Sequence, residues 1–171
     1  PIRRVKRYLR PELKGDNWKE RQIPFAFGRY ETNYRWKHPG DGSQPAVWST
    51  RLPHGGDYDV SYYFIPSRMR RRFRLASEFT VRVFHGTEID TLVLEAGELK
   101  GGWNLLGRYR FKSDEQVKVE LLDLADGRLY ADAVRWRFVD PDNPEEVYEE
   151  GIPAWNFGKN RGGRGGGRGS R

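Results

Sequence analysis

Along the central part of the chain, hydrophobic side chains recur at every second position. Tyr34 and Trp36 alternate with Arg35 and Lys37; Tyr58, Val60, Tyr62 and Phe64 alternate with Asp59, Ser61 and Tyr63. Phe79, Val81 and Val83 alternate with Thr80, Arg82 and Phe84, and Val117, Val119 and Leu121 with Lys118 and Glu120. A period of two places successive side chains on opposite faces of a strand. Further strands are predicted over 46–50, around Leu92 and Leu94, and over 105–111. The longest is predicted over 129–139, with Tyr130, Val134, Trp136 and Phe138 on one face. Turn clusters separate these runs: His38-Pro39-Gly40-Asp41-Gly42, Pro53-His54-Gly55-Gly56, His85-Gly86, and the hairpin signal Asp126-Gly127. No segment between the runs is long enough to carry a helix across parallel strands. The pattern therefore predicts an all-β fold, antiparallel strands in two packed sheets. Residues 66–76 (PSRMRRRFRLA) fit either one helical turn or a long loop.

Outside this region the character changes. Residues 1–15 read as a basic arm, 16–139 as the sandwich, 140–157 as an acidic, Pro-containing extension, and 158–171 as a Gly/Arg-rich tail that cannot bury anything by itself. Of the 31 Lys+Arg and 24 Asp+Glu, residues 1–37 hold 11 bases and 4 acids, 66–76 five bases, 140–150 six acids, and 158–171 five bases. The remainder holds 10 bases and 14 acids, so the basic character sits in the ends and one internal stretch. The basic arm and the acidic extension flank one domain and are expected to pair, within a chain or between neighbours. The chain starts at Pro1 without Met or signal peptide, which predicts a processed chain or part of a longer polypeptide. There is no Cys, which removes disulfides, thiolate metal sites and a Cys nucleophile from consideration. No apolar run reaches the ~18–20 residues of a membrane span.

Three strings carry a resemblance: PAVWSTRLPHGGDYDVSYYF (45–64), GGWNLLGRYRF (101–111) and GRLYADAVRWRF (127–138). Together they resemble the golvesin C-terminal-like family, also called the xanthan-lyase carbohydrate-binding-like domain. The resemblance spans about 16–139. It implies a jelly-roll-type β-sandwich, found in secreted or surface proteins of bacteria and often appended to polysaccharide- or peptidoglycan-active enzymes. An exported, periplasmic or cell-surface location is expected on that ground. The fold type admits a structural Ca²⁺, but no ligand cluster in the sequence demands one, and no cofactor is expected.

The motif residues Trp48, Tyr58, Trp103 and Tyr109 sit in strand phase and read as core. Asp132, between Ala131 and Ala133, reads as a carboxylate that accepts loop N–H groups and pins the last strand. No catalytic set is discernible: His38, His54 and His85 each lie beside a turn without shared metal-ligand spacing, and there is no nucleophile elbow or phosphate loop. The sequence thus points away from an enzyme. Sugar binding calls for exposed rings, and Trp18, Tyr63 and Phe84 are the candidates. Arg68, Arg70, Arg71, Arg72 and Arg74 are candidates for an anionic polymer or an acidic protein neighbour. The expected function is a non-catalytic binding or docking module, attached to a glycan or another protein. The rival is an accessory subunit of a large complex whose extensions wrap its partners. RNA binding through the RGG-like tail is a lesser alternative, disfavoured by the near-neutral folded part.

Overall fold

The period-two runs become strands in a computed structural model that describes residues 8–9, 13–23, 26–27, 33–65 and 74–142. The strands are β1 (Tyr8–Leu9), β2 (Leu13–Lys14), β3 (Lys19–Gln22), β4 (Asn33–Lys37), β5 (Ala46–Arg51), β6 (Gly56–Phe64), β7 (Glu78–His85), β8 (Glu88–Glu95), β9 (Gly102–Phe111), β10 (Gln116–Leu121), β11 (Leu129–Ala131) and β12 (Val134–Phe138). No helix occurs among the described residues. Strand pairing is antiparallel throughout, in three sheets: β1-β12-β6-β9, β2-β5-β10-β7-β8, and a smaller β11-β4-β3. The first two pack face to face as a β-sandwich. Trp136, Val134, Val60, Tyr62 and Tyr58 on one sheet meet Trp48, Val81, Val83, Val117, Val119 and Leu121 on the other, all at most 2% exposed. Large aromatics thus fill the space between the layers, with Trp48 and Tyr62 crossing it edge to face at 6.1 Å.

Three details differ from the sequence pattern. Residues 129–139 do not form one strand. β11 belongs to the small sheet and β12 to the large one, and the chain turns between them at Asp132-Ala133. The Ala133 carbonyl accepts the Tyr63 N–H at 2.8 Å, which holds that corner against β6. Asp126-Gly127 is not a hairpin, because β10 and β11 lie in different sheets. Asp126 instead accepts the Ser77 N–H and Oγ at 2.8 and 2.7 Å, which lowers its carboxyl below the usual range. The stretch read as an arm contributes β1 and β2, one pairing the edge of each large sheet.

One register shift, between Val60 and Ser61, leaves Leu106 as an extra residue in β9. Next to it, a Cβ on Gly107 would lie 2.8 Å from the Tyr109 ring. That ring is held in turn by His85 at 4.7 Å. Gly107→Ala is therefore expected to lower stability by about 1–2 kcal/mol, read as a reduced urea midpoint at unchanged m-value.

Candidate functional site

Among the described residues, the two large sheets end on the same side of the sandwich in edge strands, β8 on one and β9 on the other. Between them lies a groove of about 380 Å³, lined by Val93, Glu95, Glu98, Lys100, Trp103, Asn104 and Leu105 with the neighbouring Leu94 and Leu99. Val93 and Leu105 are large apolar side chains left 59% and 64% exposed. They occupy strand phases that face away from the main core, beside edge backbone that has no strand partner among the described residues. The 96–101 loop closes one end, and Asn104 fixes its shape. Its side chain accepts the Lys100 N–H at 3.0 Å and donates to the Lys100 and Gly102 carbonyls at 2.8 and 2.9 Å. Gly102, with φ near 104°, supplies the left-handed turn that starts β9.

Trp103 is the fixed wall of this groove. It packs edge to face on Tyr63 at 5.2 Å and on Phe27 at 5.0 Å, and the Arg135 guanidinium lies over its ring at 4.4 Å. Phe27 is in turn held by its N–H, which donates to Asp132 Oδ2 at 2.8 Å. Burial pushes the Asp132 carboxyl up to about 8, the Phe27 N–H acting in the opposite sense. The chain from Asp132 through Phe27 to Trp103 thus ties the corner between β11 and β12 to the groove wall.

The candidates chosen for exposure are placed differently from expectation. Tyr63 is fully buried and Trp18 is 7% exposed, so neither offers a free ring. Tyr63 lies in the outward phase of β6, but Phe27 and Trp103 cover it. Trp18 joins the main core, its Nε1 donating to the Gln44 carbonyl at 3.0 Å. Phe84 stays half-buried on the outer face of its sheet beneath the Lys118 ammonium, 3.8 Å away. Arg74 is exposed beside the small sheet, while Arg68, Arg70, Arg71 and Arg72 lie outside the described residues. Trp48 is fully buried, its Nε1 3.4 Å from the Asp132 carbonyl. Tyr58 donates to the His54 carbonyl at 2.9 Å. Tyr109 is buried beside His85, and burial together with the Asp90 carboxylate pushes its hydroxyl up to about 12. Patterning does not single out Val93, Glu98 or Leu105. The signal is weak: Val93 and Leu105 are apolar residues in the outward phase of their strands, and Glu98 lies in the loop between those strands.

His38, His54 and His85 have separate neighbourhoods, beside Trp36, Phe138 and Tyr109 respectively. Among the described residues, no three His, Asp or Glu side chains are grouped to hold a metal ion. No helix of the described residues is long and apolar enough to cross a membrane.

An antiparallel β-sandwich with an aromatic-walled groove between two sheet edges is therefore the class of protein that this sequence specifies. The chain belongs to the Golvesin C-terminal domain family, whose profile matches residues 12–138. Two solved structures share the fold. The Paenibacillus xanthan lyase is 24% identical with a TM-score of 0.56, over 80% of this chain and 12% of that one. The Podospora anserina GH26-CBM35 β-(1,4)-mannanase is 12% identical with a TM-score of 0.52, over 82% of this chain and 29% of that one. The chain thus spans less than a third of either protein. Comparison with curated proteins found no match.

Proposed function

We propose that this chain is a non-catalytic glycan-binding module of a larger exported bacterial protein, and that the groove between β8 and β9 receives the glycan. The observation that carries the reading is the composition of the groove. Trp103, Leu105 and Val93 offer apolar surface for the C–H faces of sugar rings, while Glu95, Glu98 and Lys100 offer partners for hydroxyls. The volume, about 380 Å³, suits a short stretch of a polysaccharide rather than a large ligand. The family membership and the likeness to parts of two polysaccharide-named proteins support the same reading.

Affinity electrophoresis against neutral β-1,4-mannan and a mixed β-glucan tests this. The protein is expected to be retarded by at least one of the two. Leu105→Asp, an exposed position remote from the main core, is expected to weaken that binding at least tenfold, and Glu98→Ala about threefold, with unchanged circular dichroism. Free migration in both polymers, or retardation of Leu105→Asp equal to that of the parent, overturns the proposal.

A further inference from the structure

The small sheet carries a second constellation, on other residues and independent of the groove. On one of its faces Trp36 and Tyr34 of β4 lie beside Tyr130 of β11, Tyr34 and Tyr130 stacking at 5.3 Å. Opposite them on the edge strand β3, Lys19 pairs with Trp36 and Arg21 with Tyr34. Two residues apart on one strand, Lys19 and Arg21 point the same way. Arg128 comes from the other side. Three cations therefore surround one ring: the Arg128 guanidinium at 4.3 Å, the Lys19 ammonium at 5.2 Å and the Arg21 guanidinium at 5.7 Å from the Trp36 centroid. Lys19 and Arg21 are exposed.

Several strand cations of this protein are matched by acids: Arg108 and Arg137 by Asp59, Lys37 by Asp123, Lys118 by Glu120, and Arg35, on the other face of the small sheet, by Glu20. Among the described residues no carboxylate lies within ion-pair distance of Lys19 or Arg21. The Trp36 ring offsets part of the mutual repulsion through its cation–π contacts. It does not neutralise the charge. A group of exposed like charges raises the local concentration of counter-ions and favours a ligand that brings several negative charges at once.

We infer that Lys19, Arg21 and Arg128, arrayed around Trp36, form a binding site for a carboxylated polysaccharide. Guanidinium forks match carboxylates in a bidentate fashion, and Lys adds a point charge. The buried state of the rings selects against nucleic acid: Trp36, Tyr34 and Tyr130 are at most 8% exposed, so no open face is offered on which a base could stack. A chain of uronate sugars needs only the cations that stand above the rings.

Binding of polygalacturonate, single-stranded RNA homopolymer and neutral mannan is measured by affinity electrophoresis and microscale thermophoresis at low and physiological salt. The protein is expected to bind polygalacturonate with an affinity that falls as salt rises, and to bind it at least tenfold more tightly than RNA. Lys19→Glu/Arg21→Glu is expected to lose at least tenfold toward polygalacturonate and nothing toward a polymer bound in the groove. The milder Lys19→Gln/Arg21→Gln, which adds no charge and stays on the exposed edge strand, is expected to lose at least threefold. Arg82→Glu/Lys112→Glu, a charge-matched change at exposed positions elsewhere, is expected to lose less than twofold. The site is overturned by absent binding to polygalacturonate, by equal losses in the two charge-reversed variants, or by tighter binding to RNA. The groove variant Leu105→Asp retains polygalacturonate binding, so failure here and failure of the groove reading are separate results.

Discussion

Asp59→Ala is expected to lower the unfolding free energy by about 3 kcal/mol, read as a lower urea midpoint at unchanged m-value. Asp59 lies in the middle of β6 and is 6% exposed. It stands directly opposite Arg108 on β9 and Arg137 on β12. Arg108 Nε donates to Asp59 Oδ1 at 2.7 Å and Nη2 to Oδ2 at 3.3 Å, while Arg137 Nη2 donates to Oδ2. Removing the carboxylate leaves two guanidiniums facing each other across one strand. Arg137, only 15% exposed in its side chain, has little access to water, whereas Arg108 at 47% can reach it. Arg108→Ala is accordingly expected to cost less, about 1 kcal/mol. Burial by itself would raise the Asp59 carboxyl, but the two guanidiniums outweigh it and hold it below the usual range. A carboxyl lowered in the folded state stabilises above its unfolded pKa, and that contribution is lost as pH falls through the folded value. The parent therefore loses stability below about pH 4 through this group, and Asp59→Ala does not. A loss under about 1 kcal/mol in the variant would show that the cluster is solvated and not structural.

The same residue shows how far the sequence can be read. Alternation alone identifies β4, β6, β7 and β10 and their inward residues, because each has one face on a hydrophobic cluster, β4 on that of the small sheet and the others on the main core, and the phase of two is unambiguous there. What alternation cannot say is whether the other face is wet. On β6, Asp59, Ser61 and Tyr63 occupy the outward phase and are all buried, since β6 is flanked on both sides and covered by long side chains from its neighbours. The partners that cover them, Phe27, Trp103, Arg108 and Arg137, come from three separate parts of the chain. Long-range pairing of that kind leaves no local signature. The break at Asp132-Ala133 escapes for a related reason: both sides of it are good strand sequence, and only the destination sheet differs. The groove is hidden in the same way, being a property of two edges, β8 and β9, that meet only in three dimensions. The Golvesin-type strings, by contrast, are local motifs of turn and strand residues, and they can be recognised without knowing what packs on what.

Asp132→Asn is expected to stabilise the protein at pH 8 and to leave it nearly unchanged at pH 4. The folded-state carboxyl is raised from 3.8 to about 8, by burial against the single opposing effect of the Phe27 N–H. A raised carboxyl acts opposite to Asp59. Between the unfolded and folded values the native state keeps a proton that the unfolded chain has lost, so stability falls as pH rises through that window and levels off above it. The slope approaches about 1.4 kcal/mol per pH unit for one such group. An asparagine retains an oxygen for the Phe27 N–H and carries no charge, so it removes the slope while preserving the tie to Trp103. Urea unfolding of parent and variant at pH 4, 6 and 8 reads the effect. The parent weakens across the series relative to the variant, and the difference at pH 8 exceeds about 2 kcal/mol. Parallel stabilities at all three pH values would mean that Asp132 is ionised in the folded state across the range, with a charge partner besides the Phe27 N–H. A variant weaker than the parent at pH 8 would mean that this ionised carboxylate is what holds the β11–β12 corner. Asp59 and Asp132 thus place the highest stability that these two groups allow at about pH 4, between a cluster that needs its charge and a buried carboxyl that resists acquiring one.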